Sequence, residues 1–261
     1  MRAVIRWSLL SVVVPAIGAG AQASGTGVSG NITMSLQPPV MGTMAPARST
    51  LSGTVSFVNG KGRIDIASAS GPGIDYRAGD YVLLPDSARA IYIRPSTKEF
   101  WDMDSPFLNP YAALAGNTQI TASGGNVTME RTGDGESIGA FATKKFRINL
   151  EYTVNAGTTA IPAGITIDIT VARAPVKFAG VPVAGAQTFG IATPPAVTSR
   201  VAGYLAEMAA EGVVVRANSA AWFSVSGTTM NTLVTTDITG LKVANVDPAT
   251  LSMPAGFKAG S

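Results

Sequence analysis

Phe146, Ile148, Leu150, Tyr152 and Val154 are interleaved with Arg147, Asn149, Glu151 and Thr153, so apolar and polar residues alternate strictly along this stretch. A period of two is the geometry of a strand with one face in a core and the other in water. Ile165, Ile167, Ile169 and Val171 repeat the pattern, with Thr166, Asp168 and Thr170 opposite. Val55 and Phe57 alternate before Asn59-Gly60, and Ile64 and Ile66 alternate after it. Asn-Gly favours positive φ at both turn positions, so residues 53–67 read as a tight hairpin. Tyr81–Leu84, Ala90–Arg94 and Glu99–Trp101 form a meander broken at Pro85-Asp86-Ser87 and Pro95-Ser96-Thr97, both composed as turns. Further strands are expected at 27–36, 118–130, 213–217, 221–226 and 229–245. A sheet of about ten strands lies at the upper range for open sheets and is expected to curl or close.

Two segments carry a helical period instead. Val197, Val201, Tyr204, Leu205 and Met208 form one stripe, with Pro194-Pro195 before it and Gly212 after it as start and stop signals. Phe107, Leu108, Tyr111 and Leu114, introduced by Asp104, Ser105 and Pro106, suggest a second and shorter helix. Residues 38–50 read as an irregular connection and 174–195 as a long loop or edge excursion.

The composition narrows the chemistry sharply. The chain has no Cys and no His, which removes imidazole bases, thiolate nucleophiles, His/Cys metal sites and disulfides. There is no G-x-S-x-G elbow and no S-x-x-K motif. A carboxylate-pair hydrolase leaves no local signature, but nothing else points to one. The chain is therefore read as a non-enzyme without a cofactor.

Arg2 and Arg6, the apolar run Leu9–Ile17 and the small residues Ala19–Ala23 follow the grammar of a cleaved signal peptide. Residues 1–23 are read as that signal and 24–261 as one domain, exported to the periplasm or secreted. Removing the signal takes away two of 19 basic residues and none of the 16 acidic ones, so the formal net charge falls from +3 to +1. No basic stripe survives to contact nucleic acid. About ten amphipathic strands would also suit an outer-membrane barrel. The expected helix at 197–211 and the non-aromatic last residue, Ser261, argue against an integral membrane protein.

Several motifs reduce to ordinary structure. Gly25-x-Gly27-x-x-Gly30 spells a dinucleotide fingerprint but leads into a strand rather than a helix, so it reads as a flexible N-terminal stretch of the mature chain. Glu99, Asp102 and Asp104 lack the remaining oxygen ligands of a calcium loop, and Asp104 or Ser105 reads as a helix cap. Asn31-Ile32-Thr33 and Asn126-Val127-Thr128 fit the glycosylation pattern but read as strand residues.

Three stretches together carry a family likeness: Gly79–Leu84 through Ile91–Pro95 to Lys98–Trp101; Gly135–Gly139 running into Lys145–Ile148; and the ending Val246-Asp247-Pro248, Leu251, Met253–Lys258. They resemble bacterial exported proteins with a domain similar to the LolA/LolB-type lipoprotein carriers. That resemblance implies a mainly β (α+β) fold: a strongly curved antiparallel sheet forming a half-open barrel, with one longer and one short helix on its concave side. In such a fold Tyr92, Trp101, Phe107, Leu108, Tyr111 and Leu114 would line an apolar interior able to receive a lipid or other hydrophobic molecule. The same residues also read as plain core. Two functions stand side by side: a hydrophobic-ligand binding protein, and an envelope structural or protein-interaction module with a filled interior.

Overall fold

The computed structural model describes residues 25–37, 47–58, 60–71, 76–85, 90–102, 120–178, 195–225 and 227–260. Among them the protein is mainly β. In chain order the strands are β1 (Gly25–Gln37), β2 (Ser49–Val58), β3 (Lys61–Ser70), β4 (Tyr81–Leu84), β5 (Ile91–Arg94), β6 (Glu99–Asp102), β7 (Ile120–Ile138), β8 (Phe141–Ala156) and β9 (Thr159–Ala172). Helix α1 (Pro195–Glu211) follows, then β10 (Val213–Val225), β11 (Thr228–Val246), a short 3-10 turn (Pro248–Leu251) and β12 (Lys258–Ala259). All twelve strands join one sheet in the order β12-β6-β5-β4-β3-β2-β1-β11-β10-β9-β8-β7. Every pairing is antiparallel except that of β12 with β6.

The expected half-open barrel is corrected here: the sheet is neither closed nor strongly curled. β7 and β12 remain its two edges. A sheet curls when it must cover its own apolar face. In this chain α1 packs as a separate layer on the β7–β10 part of that face, which is buried there without closure. The expected short helix falls on residues outside those described, as do Phe107, Leu108, Tyr111 and Leu114.

Most of the alternation expected from sequence is realised. Val58 pairs with Lys61 across the Gly60 turn, where φ is +75°. The strands expected at 213–217 and 221–226 are one continuous strand, because Asn218, Ser219 and Ala220 stay in register with both neighbours. The Gly25–Gly30 stretch is not flexible but is the start of β1, pairing with β2 and β11. Its glycines have a packing reason: a Cβ on Gly27 would stand 2.5 Å from the Phe57 carbonyl oxygen.

Register carries one face across the sheet. Leu51, Met34, Thr236, Ala217, Ile169 and Phe146 stand in one row over six strands. The next row is Leu36, Val234, Ser219, Ile167, Ile148 and Met129, and the third is Thr232, Ala221, Ile165, Leu150 and Val127. Two cores form along the sheet. One gathers Val28, Ile32, Val55, Phe57, Ile64, Val82, Tyr92 and Trp101; the other gathers the apolar side chains of β8 and β9 with α1. A bulge between Val214 and Arg216 lets Val214 join the second core while Val213 and Val215 join the first. Phe178 bridges to Val213 and stacks on Phe57 at 4.7 Å, extending the first core beyond the sheet.

The Met253–Lys258 ending also has a structural role. Phe257 packs with Tyr81, Leu83 and Ile93, and Lys258 and Gly260 donate to the carbonyls of Lys98 and Phe100. The chain end thereby caps the short β4–β6 meander.

Gly53 sits where the β2–β3 register shifts, and a Cβ there would lie 1.9 Å from the Asp65 carbonyl oxygen. Backbone cannot yield as a flexible side chain can. Gly53→Ala is expected to cost about 1–3 kcal/mol, the range of overpacking. A lowered thermal midpoint in circular dichroism checks this, and an unchanged midpoint refutes the close approach.

Candidate functional site

Two places in the described residues combine polar chemistry with burial. The first is built on the meander. Gly79 adopts φ +90° and delivers Asp80 into the inner side of β4, while β5 alternation places Tyr92 and Arg94 on the same side. Asp80 is 3% exposed, Tyr92 0% and Arg94 6%. The Tyr92 hydroxyl donates to Asp80 Oδ2 and accepts from Arg94 Nη2 at 2.9 Å. The Arg77 backbone N–H donates to Asp80 Oδ2 at 3.0 Å, and Arg94 Nε stands 3.5 Å from the same oxygen. Rings enclose this ion pair: Trp101 stacks on Tyr92 at 5.4 Å, Tyr76 meets Tyr92 edge-on at 5.0 Å, and Arg94 lies over the Trp101 ring at 5.3 Å. Burial pushes the Tyr76 phenol up to about 12. Burial, and then the hydrogen bond to Asp80, raise the Tyr92 phenol well above its ordinary value, against the pull of Arg94.

The structure therefore brings Tyr92 and Trp101 together. Their neighbours Asp80 and Arg94 were not among the residues expected from sequence. A signal was there: Arg94 falls two residues after Tyr92 on a short apolar strand, a position where a charge must find a buried partner. The chain end closes over this cluster, since a Cβ on Gly260 would fall 2.0 Å from the Trp101 ring. Neither aromatic offers an open surface here.

The second place is the α1-covered half of the sheet. Val197 and Met208 are buried, and Val201, Tyr204 and Leu205 pack beside them on β7–β10. Gly125 makes room at one end, where a Cβ would lie 2.4 Å from Val197. At the other end the Lys144 ammonium is paired with the Glu211 carboxylate. Under the helix β8 and β9 present large side chains, whereas β10 presents Ala217, Ser219 and Ala221, with Thr232 and Thr236 beside them on β11. The result is a shallow trough of small and hydroxylated residues within an apolar face. Ser219 Oγ and Thr232 Oγ1 are buried there without a hydrogen-bond partner.

The opposite face is polar. Arg147 pairs with Asp168 at 2.7 Å and Arg216 with Asp237 at 2.5 Å, beside an open groove of about 280 Å³. Asp102 is exposed on β6, and Glu99 faces Lys258 at 4.0 Å. Among the described residues no three acidic side chains gather in a way that could hold a metal ion, and no helix is long and apolar enough to cross a membrane.

No protein-family model and no curated protein matches the chain. Among solved structures, one titled for lipid–protein interactions in lipovitellin aligns with a TM-score of 0.28 and 9% identity. It covers 92% of this chain, which spans only 27% of that one. An overlap this loose carries no argument about function.

Two expectations follow. Arg94→Met strands Asp80 as a buried unpaired carboxylate, and breaking one side of a buried pair costs about 3–5 kcal/mol. Denaturant unfolding should show that loss, and the double change Asp80→Leu with Arg94→Met should recover most of it. Equal losses in the single and double variants would mean the pair is not coupled.

The second concerns acid. Lys144 beside Glu211 holds its carboxyl below the usual carboxylate range, against some opposing desolvation. A group with a depressed folded pKa stabilises above its unfolded pKa and loses that contribution as pH falls through the folded value. Thermal midpoints of wild type and Glu211→Gln should therefore differ most at neutral pH and converge below the glutamate range. A difference that is constant with pH would refute the clamp.

Proposed function

We propose that this chain is an exported, non-enzymatic binding protein that shelters a lipid-like or otherwise hydrophobic ligand on the α1-covered face of its sheet. The observation that supports this reading is the set of three registered rows on the face where α1 packs. They make a largely apolar inner face whose β10 positions, Ala217, Ser219 and Ala221, carry small buried side chains between the larger ones of β8 and β9. Each methylene moved there from water contributes ~0.8 kcal/mol, so a single long chain supplies useful affinity with few polar contacts. The absence of His and Cys from the chain agrees with binding rather than turnover. Export to the periplasm or beyond accords with the signal-like N-terminus. Entry of the ligand requires α1 to lift, and α1 is fastened mainly by the Lys144–Glu211 pair and its apolar stripe.

A specific observation favours the second reading, an envelope interaction module. The space enclosed by Ile32, Val55, Phe57, Ile64, Leu84, Val214, Val215 and Ile238 is about 10 Å³. That is about one water molecule's worth, so this space offers no chamber. The ligand-binding reading accordingly concerns the α1 half alone.

Organic extraction of protein purified without detergent, with mass spectrometry, is the direct test. A recovered amphiphile in near-stoichiometric amount supports the proposal. Adding Lys144→Met should raise the rate at which an apolar fluorophore enters by loosening the clamp, with fluorescence rise as the readout. No extractable molecule, and no saturable fluorophore binding by either protein, favours the interaction module.

A further inference from the structure

We infer that the trough along β10 is a subsite for a neutral polar group of the ligand, a hydroxyl or an ester carbonyl, held by Ser219 Oγ and Thr232 Oγ1. The inference rests on the ligand-binding reading above and adds the chemistry of the head group. Ser219 is 5% exposed and Thr232 is 3% exposed, yet neither side-chain oxygen has a hydrogen-bond partner. Buried hydroxyls are nearly always satisfied, and leaving one unmatched costs the full desolvation of the group. Two such groups on one patch are a concentrated departure from that rule.

The patch is built to meet something. Thr232 stands opposite Ala221, and Ser219 is two residues further along β10, so the two hydroxyls are diagonal neighbours on one face, roughly 7–8 Å apart at their backbones. Ala217 and Ala221 flank Ser219 on the same face of its own strand, so its nearest neighbours along β10 are methyl groups that offer its hydroxyl no partner. Ile165, Ile167 and Ile169 border the trough on β9, and Val234 borders it on β11. Each hydroxyl can both donate and accept, so the pair can serve an alcohol or a carbonyl equally well.

Charge excludes the anionic alternatives. The inner rows of β9, β10 and β11 contain no ionisable side chain. The nearest cation on the same side of β8, Lys144, stands opposite Val171 and is already paired with Glu211. Arg131, at the β7 edge of the first row, is half exposed and lies near Asp134. A carboxylate or phosphate entering the trough would be buried without a counter-charge, which is strongly unfavourable. A neutral head group meets no such penalty.

The test uses displacement of an uncharged naphthylamine fluorophore from the full mature chain by dodecanol, methyl dodecanoate and dodecanoate at neutral pH, each below its aggregation limit. Wild type should take up the alcohol and the ester about tenfold more tightly than the ionised acid. Ser219→Ala and Thr232→Val should each weaken the two neutral ligands by up to about tenfold, the scale of one hydrogen bond. The same two changes should hold or raise the thermal midpoint, since each deletes an unmatched buried hydroxyl, and this shows that the variants are folded. Dodecanoate binding as tightly as dodecanol, or neutral-ligand affinity unmoved in the double variant, overturns the subsite while leaving hydrophobic binding in place. If neither the fluorophore nor any of the three binds wild type saturably, the binding reading itself falls and the subsite with it.

Discussion

The rest of this structure depends on strand register. A shift by one residue would send every inward side chain to the opposite face, because side chains alternate with a period of two. Over β1, β2 and β8–β11 the pairing instead keeps Leu51, Met34, Thr236, Ala217, Ile169 and Phe146 in line. Register is set here by burial itself: Ile148, Ile165, Ile167 and Ile169 are almost inaccessible, so any slip would trade them for Arg147, Thr166, Asp168 and Thr170. The cross-strand ion pair of Arg147 with Asp168 reinforces the same alignment from the wet side. Exposed pairs of this kind add little stability, yet they disfavour the slipped alternative, where like or unpaired charges would meet.

The buried Asp80–Arg94 contact and the half-open Lys144–Glu211 contact do different work. Asp80 and Arg94 are fully enclosed by aromatic rings at the meander end, where four-residue strands have too few ladder bonds to hold themselves. Replacing such a pair by hydrocarbon is often neutral in energy. Its value here lies in orientation: the carboxylate accepts from the Arg77 backbone and the Tyr92 hydroxyl at once, which fixes the loop before β4 against β5. Lys144 and Glu211 join a half-open position on the helix to a buried one on β8, so that contact is breakable in a way the first is not.

Much of the fold was legible in the sequence. The alternation at 146–154 and 165–171, the turn at Gly60 and the stripe from Val197 to Met208 each encode their element locally, and each element stands where those residues put it. What was not legible depends on partners far away. Nothing in Asn218–Ala220 marks a strand, since small and amide residues have weak β-preference; β9 and β11 impose the extended form from either side. The two-residue β12 exists only because β6 offers it an edge. Family resemblance suggested a curled barrel, but curvature depends on how the apolar face is covered, and no single strand carries that information. For the candidate site, Tyr92 and Trp101 were visible as apolar aromatics. Asp80 and Arg94 became partners through pairing between strands, and the unmatched hydroxyls of Ser219 and Thr232 gain meaning only once their neighbours are known.

The edges bear on which surface can recognise anything. An open sheet invites another strand along each unpaired side. β7 is poorly suited to that, because its pairing with β8 is interrupted three times, at Ser123/Asn126, Arg131/Gly133 and Gly135/Ile138. Glycines with positive φ at 124, 125 and 133, and the charges Glu130, Arg131, Asp134 and Glu136, further break its outer line. At the opposite side β12 is two residues long and turns the edge back on the meander. With both edges blunted, strand addition is a weak basis for an interaction module built from this sheet. The broad faces remain: one carries Arg147, Asp168, Arg216 and Asp237 in mutual pairs, which leaves little net charge to recognise a partner. The other face, under α1, holds apolar area together with unsatisfied hydroxyls. Of the two broad faces it is the one that buries side-chain hydroxyls without a partner.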